Sequence, residues 1–413
     1  MMKNSFIREL EDQLKFKDFE LNAILEITKG INTNQSIDYL LSVFEFILRE
    51  QLNLEKYILY VKQDDWKHLL KHGIKGKYKD IDVKEDLLRF KDVTLIASSN
   101  HKVLAEFEVV IPFVHKGKPI AFLLFKRGTK RVFGNSSKSS FGDVSFIQTL
   151  TNILVVAIEN KRMTKEGLMQ ERIKKELEVA SEMQKMLFPD VLPSDRRLDL
   201  AANYTARHEV GGDYYDFIPI NEDEFIICIG DVSGKGVGAA MLMANFQAMI
   251  RTLISFNKLA FEYLIPELNR KVMETAKGEK FITFFIGHYN MNTRLFKYVN
   301  AGHNHPILTT GKRAQFLDKG TIGLGMMETL PFLEPDEIII QPRSTLVLYT
   351  DGVVELQNKA GDYFKTDRLI KLIHSFYPLN MEDLNNLIFS KLNEFREKEE
   401  LVDDTAIFSC RIF

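Results

Sequence analysis

Cysteine is nearly missing from this sequence: 413 residues hold two, Cys228 and Cys410. Both lie in apolar, strand-like runs, so they offer no disulfide framework and are read as reduced core residues. An excess of charge is missing too. With 55 Lys and Arg against 57 Asp and Glu, the net charge is −2, without the basic surplus that a general nucleic-acid binder needs. No stretch approaches the roughly 18 consecutive apolar residues that cross a bilayer. Met1 to Leu10 scatter charges where a secretory signal has its apolar segment. The expectation is a cytoplasmic protein with no membrane and no nucleic acid among its partners.

What is present suits a soluble globular chain: 45% hydrophobic and 27% charged residues. The length calls for two domains and a connector. Leu10, Leu14, Phe19, Leu21, Ile24, Leu25 and Ile27 recur at helical spacing, and a second helix is expected over 36–52. Strands are expected over Lys56–Val61, Val103–Val114 and Ile120–Lys126, and a loop over Gly128–Ser140. A long helix follows from about Asp143 to Leu187. Its stretch Thr151–Ile158 is almost wholly apolar, so it is expected to be buried. From Glu159 to Glu182 it is dense in Lys, Arg, Glu and Gln, with Ile173, Leu177 and Ala180 at steps of four and three. That stripe suits a short coiled coil or partner-packed helix, or else a solvated connector.

Beyond about Asp199 short apolar strands alternate with sharp turns: Glu224–Ile229, Phe281–Tyr289 with Arg294–Asn300, Glu337–Ile340, Thr345–Tyr349 and Asp404–Ile412. Helices are expected between them over Gly238–Ser255, Phe261–Ala276 and Met381–Lys398, the last capped by Asn380. Mixed strands and helices imply an α+β sandwich.

The acids fall at the strand ends. Asp231 follows Phe225–Gly230, Asp351 follows Thr345–Thr350, and Asp403 and Asp404 precede Thr405–Ile412. Asp213 follows Gly211 and Gly212. Gathering carboxylates beside buried strands is costly, because each raises the pKa of the others. Divalent cations relieve that cost, and all-oxygen ligation points to Mg²⁺ or Mn²⁺. Taken singly, an Asp-Gly after a strand is more often a turn than a ligand. The run Gly230–Gly236 fails the Walker pattern, since Gly follows Lys235.

Six blocks in order carry a resemblance. They are 176–189, Val210-Gly-Gly-Asp-Tyr-Tyr-Asp216, Ile229-Gly-Asp-Val-Ser-Gly-Lys-Gly236, Asn300-Ala-Gly-His-Asn304, Leu348-Tyr-Thr-Asp-Gly352 and Asp403-Asp404. Over about 175–413 the chain resembles the bacterial SpoIIE/RsbU branch of the PPM (protein phosphatase 2C) family. The resemblance implies an α-β-β-α sandwich and metal-dependent hydrolysis of phosphoserine or phosphothreonine without a covalent intermediate. It implies two ions, Mn²⁺ or Mg²⁺, held by Asp213, Asp231, the carbonyl of Val232, Asp351 and the Asp403/Asp404 pair, with Asp403 favoured. Family members usually carry Thr where Ala406 stands and Pro where His305 stands. His303 is read as a turn residue rather than an acid–base catalyst, and Lys235 as a solvated turn lysine rather than a phosphate clamp. His68 and His72 are read as surface residues.

Residues 18–160 resemble a GAF sensor module, on Leu21–Thr28, Asp38-Tyr-Leu-Leu41 and a closing helix over Ile147–Glu159. No cysteine lies there, which disfavours a covalently attached bilin. The expected plan is a GAF-like sensor and dimerisation domain over 1–160, a helical linker and switch helix over 161–190, and a phosphatase domain over 191–413. Expected partners are a phosphorylated protein, similar to an anti-sigma-factor antagonist, a second copy through the GAF-like domain and linker, and an upstream regulator. A phosphatase-like scaffold without catalysis, and a small-molecule phosphohydrolase, are the alternatives.

Overall fold

The computed structural model describes residues 2–74, 81–96, 104–115, 117–128, 140–256, 260–397 and 399–413. The chain divides into two compact units, Met1–Gln170 and Glu171–Phe413, so the division falls inside the stretch read as linker.

The first unit opens with α1 (Met2–Asn32) and α2 (Ile37–Phe46). Ser36 caps α2, its hydroxyl accepting from the Tyr39 N–H. A five-stranded antiparallel sheet follows: β1 (Leu54–Lys62), β2 (Trp66–His72), β3 (Thr94–Leu95), β4 (Val109–His115) and β5 (Lys118–Arg127), in the order β2-β1-β5-β4-β3. Successive side chains of β1 point to opposite faces. Tyr57, Leu59 and Val61 pack among α1, α2 and the helix beginning at Ser140. Ile58 and Tyr60 pack on the other face with Val83, Leu87, Leu104 and Phe107.

Two expectations differ here. Strand β4 starts only at Val109, after a tight turn over Leu104–Glu106, and residue 103 lies outside the described residues. Strand β2 was not expected, because Trp66–His72 carries only a half-formed alternation of burial. In it His72 stacks on Tyr57. Of the expected loop over 128–140, residues 129–139 lie outside the described residues. On α1 the apolar residues Ile7, Leu10, Leu14, Leu21 and Leu25 are exposed.

Helix α3 spans Ser140–Lys185. The second unit then stacks four layers. One sheet joins β7 (Tyr214–Pro219), β8 (Glu224–Val232), β9 (Ile282–Asn290) and β10 (Leu295–Ala301). The other joins β6 (Leu198–Thr205), β11 (Ile307–Thr309), β12 (Ala314–Phe316), β15 (Ser344–Tyr349) and β16 (Thr405–Ile412). Strands β13 (Gly320–Thr321) and β14 (Asp336–Ile339) both pair with β10.

Alternation along β8 decides the layering. Phe225, Ile227 and Ile229 face Leu346, Leu348, Phe408 and Cys410 of the opposite sheet. Ile226, Cys228 and Val232 face α4 (Val237–Ser255) and α5 (Phe261–Ala276). On the far side α6 (Asp351–Val354), α7 (Thr366–Ser375) and α8 (Met381–Arg396) cover the second sheet. Asn380 caps α8 as expected, accepting from the Asp383 N–H at 2.8 Å. Each fully buried large apolar side chain contributes about 1.5–3 kcal/mol. Both cysteines are buried and free.

By length and composition α4 could cross a membrane, although the run of uninterrupted apolar residues is shorter. In this fold its apolar face, with Leu242, Met243, Phe246 and Ile250, packs in the core. Arg251 on α4 reaches Asp216 on β7, a fully buried carboxylate, with two contacts of 2.7 and 2.8 Å. Tyr214 donates its hydroxyl to the same carboxylate at 2.6 Å. Arg251→Leu would leave that charge without its cation, at a cost of about 2–3 kcal/mol after allowance for the half-exposed guanidinium. Denaturant unfolding should show it; an unchanged midpoint would contradict it.

Candidate active site

The sheet register sets the acids in place. Asp231 is the penultimate residue of β8, opposite Thr283 on β9. Asp351 opens α6, with only Thr350 between it and the end of β15. Asp403 and Asp404 lead into β16, which pairs with β15 and β6. Asp213 stands just ahead of β7. These elements come from both sheets, so the acids meet where the two sheets end.

Thr350 ties them together, a residue that sequence reasoning passed over within its Tyr-Thr-Asp-Gly block. Its hydroxyl donates to Asp213 Oδ2 at 2.8 Å and accepts from the Ala406 N–H at 2.9 Å. Gly352 is required by close approach: a Cβ there would lie 1.9 Å from the Asp404 carbonyl oxygen. At Gly211 a Cβ would lie 1.9 Å from the Tyr204 hydroxyl and 2.5 Å from Asp404 Oδ2. At Gly212 it would lie 3.0 Å from the Val232 carbonyl oxygen, so glycine keeps that carbonyl approachable.

Electrostatics register the crowding. Burial first, then the charges of Asp231, Asp404 and Asp351, hold the Asp213 carboxyl well above the usual range. Burial, then Asp351, Asp403 and Asp404, push Asp231 up to about 8. Burial, then Asp403 and Glu355, push Asp351 up to about 6. The buried Tyr204 hydroxyl, also within reach of Asp404, Asp213 and Asp231, has no hydrogen-bond partner.

An all-oxygen donor set, mutually raised acids and an orphaned hydroxyl fit divalent cations. Yet among the described residues no group of three or more His, Cys, Asp or Glu is already arranged to hold a metal ion. Asp213, Asp403 and Asp404 each meet a protein partner. Asp404 spends both oxygens on backbone N–H groups, Gly212 at 2.6 Å and Arg207 at 2.8 Å. It thereby anchors the loop before Asp213. Asp403 Oδ2 meets the Lys235 ammonium at 2.7 Å, so Lys235, exposed in its turn as expected, also carries an ion pair.

His303 is buried, its Nδ1 2.9 Å from the Thr283 hydroxyl. Burial pushes its pKa down to about 3, which keeps the ring neutral and unsuited to donating a proton near neutral pH. The reading of His303 as a structural residue agrees with this. Gln184, near the end of α3, lies within the block 176–189 and its role follows only from the fold. Its amide pairs with both backbone groups of Gly211, donating to the carbonyl at 2.7 Å and accepting from the N–H at 3.1 Å.

The family described as Stage II sporulation protein E (SpoIIE) matches residues 221–413, a span that begins after Asp213. Phosphoserine phosphatase RsbU of Bacillus subtilis is 29% identical over 254 residues, covering 61% of this chain and 74% of RsbU. Phosphoserine phosphatase RsbP of the same organism is 26% identical over 236 residues, 56% of each chain. Among solved structures, the SiaA-PP2C domain of Pseudomonas aeruginosa shares the fold, with a TM-score of 0.52 at 20% identity. The match takes in 59% of this chain and 99% of that domain. With the carboxylates meeting at the ends of two stacked sheets, the C-terminal unit shares the PP2C fold and matches the SpoIIE family over residues 221–413, and its similarity to RsbU and RsbP supports a PPM-type protein serine/threonine phosphatase.

Proposed function

We propose that the C-terminal unit removes phosphate from phosphoserine or phosphothreonine on a regulatory partner protein, using two ions, Mn²⁺ or Mg²⁺. Asp213, Asp231, the Val232 carbonyl, Asp351 and Asp403 would hold them. The carrying observation is the set of buried acids that raise one another's pKa. Bound there, divalent ions would lower the pKa of the attacking water and neutralise phosphate charge.

The chain's own residues do the positioning. Thr350 fixes Asp213, Asp404 secures the loop that carries it, and Gly212 leaves Val232 reachable. Cys228 and Cys410 are too deeply buried to serve as nucleophiles. Because RsbU and RsbP are phosphoserine phosphatases by name, a phosphoserine in a partner-switching protein, similar to an anti-sigma-factor antagonist, is the substrate proposed. Release of phosphate from a phosphoserine peptide, dependent on Mn²⁺ or Mg²⁺, tests this. A wild-type chain that binds Mn²⁺ in calorimetry but turns over nucleotides or sugar phosphates better than phosphopeptides would sink it. No Mn²⁺ binding would favour a non-catalytic scaffold instead.

Regulation would enter through α3. The reciprocal Gln184–Gly211 pair grips the loop two residues before Asp213, so the end of α3 is the proposed switch. Gln184→Ala would strand two buried backbone groups, each costly when unpaired. We expect the Mn²⁺ concentration for half activity to rise about tenfold; no change would remove the switch role. The domain plan proposed is a GAF-like sensor over 1–160 that answers an upstream regulator, a linker over 161–190 and the phosphatase over 191–413. Exposed Leu10, Leu14, Leu21 and Leu25 on α1, and Ile173 on the linker, support a homodimer. Sedimentation as a monomer would refute that part.

A further inference from the structure

Lys235 sits between two glycines with positive φ, Gly234 at +85° and Gly236 at +73°. The loop around it is unevenly held. Ser233 is pinned from below, its carbonyl accepting from Lys280 Nζ at 2.8 Å and its hydroxyl from the Phe281 N–H at 2.9 Å. Lys235 is pinned only through its ammonium, which donates to the Val402 carbonyl at 2.6 Å and meets Asp403 Oδ2 at 2.7 Å. Its charge also reaches Asp351.

We propose that Lys235 is a built-in counter-ion for Asp403, displaced when divalent cations load, and thereafter the ammonium that binds the substrate's phosphate. This rests on Asp403 being a metal ligand. A lysine holding a carboxylate meant for a metal must be easy to dislodge, and this one is. The pair is about a third exposed on both sides, and such pairs shift an equilibrium by no more than about fivefold. A divalent ion brings twice the charge to several carboxylates at once. The flanking glycines let the side chain swing without moving Ser233. Once released, the ammonium stays beside the acid cluster, where the peptide's phosphate must come. A lysine suits that double duty as a compact point charge on a flexible stem.

The test is calorimetry on the full-length chain with Lys235→Met and Lys235→Arg beside the wild type. Mn²⁺ is titrated first, then inorganic phosphate at saturating Mn²⁺. Losing the competitor should tighten Mn²⁺ binding about threefold to fivefold in Lys235→Met, and phosphate should bind at least about fivefold more weakly. With phosphopeptide, KM should rise while kcat changes little. Lys235→Arg should keep the phosphate affinity, because its charge remains. Mn²⁺ affinity or phosphate affinity within twofold of wild type in Lys235→Met would overturn the proposal. A wild-type chain that binds no Mn²⁺ would instead bring down the metal-site reading beneath it.

Discussion

Asp231→Asn should lower Mn²⁺-dependent phosphate release from a phosphoserine peptide at least about a hundredfold. Even outer-shell partners of metal sites cost 10–100-fold when lost, and Asp231 is the acid whose pKa answers to Asp351, Asp403 and Asp404 together. Asn keeps the shape and removes the charge that would hold a cation. The same change should have the opposite sign on stability. In cation-free protein the ionised Asp231 is repelled by three neighbours and poorly solvated, so neutralising it should raise the melting temperature. A structural aspartate would lose stability along with activity. Should Asp231→Asn melt lower in chelator, or keep its activity, the site assignment fails.

The second large effect is in the pH dependence of the chelated protein. Asp213, Asp231 and Asp351 all have pKa values raised above the ordinary value of 3.8. The native state therefore binds protons more tightly than the unfolded chain. Stability is greatest at low pH with respect to these groups, and it falls as pH rises from about 4 through the folded-state values of about 6 and about 8. Without divalent ions, the melting temperature of the C-terminal unit should drop by at least about 5 °C between pH 5 and pH 8.5. With saturating Mn²⁺ the drop should largely vanish, because bound cations favour the charged carboxylates. A melting temperature in chelator that stays level over that range would show that the acids do not burden the fold.

The stabilising and functional demands on this site therefore oppose each other. Glycine at 211, 212 and 352 lets backbone and carboxylates crowd together, and Asp404 and Thr350 brace the crowd by hydrogen bonds. Repulsion among the acids is the cost, and under the proposed function it is what divalent cations would relieve.

Local chemistry made much of this legible in the sequence. The periodicities of α4, α5 and α8 gave those helices nearly to their ends, and alternating apolar residues gave β8, β9, β10, β15 and β16. Those strand ends carry Asp231, Asp351 and Asp403, so the acids could be picked out from their positions. Short elements such as β11, β12 and β13 were missed, because three residues or fewer carry no period. Strand β7 was hidden by its polar Tyr-Tyr-Asp opening, whose carboxylate finds its cation in Arg251, 35 residues later.

What the sequence determined by itself is the inventory: which acids, on which strand ends, beside which glycines. Only the tertiary structure decided how they divide their work. Asp404 is committed to the Gly212 and Arg207 N–H groups and Asp403 to Lys235. Gln184 grips Gly211 and Thr350 braces Asp213. These pairings join residues between 27 and 197 positions apart. Hydrogen bonds of that kind depend on distance and direction in space, neither of which a linear spacing records.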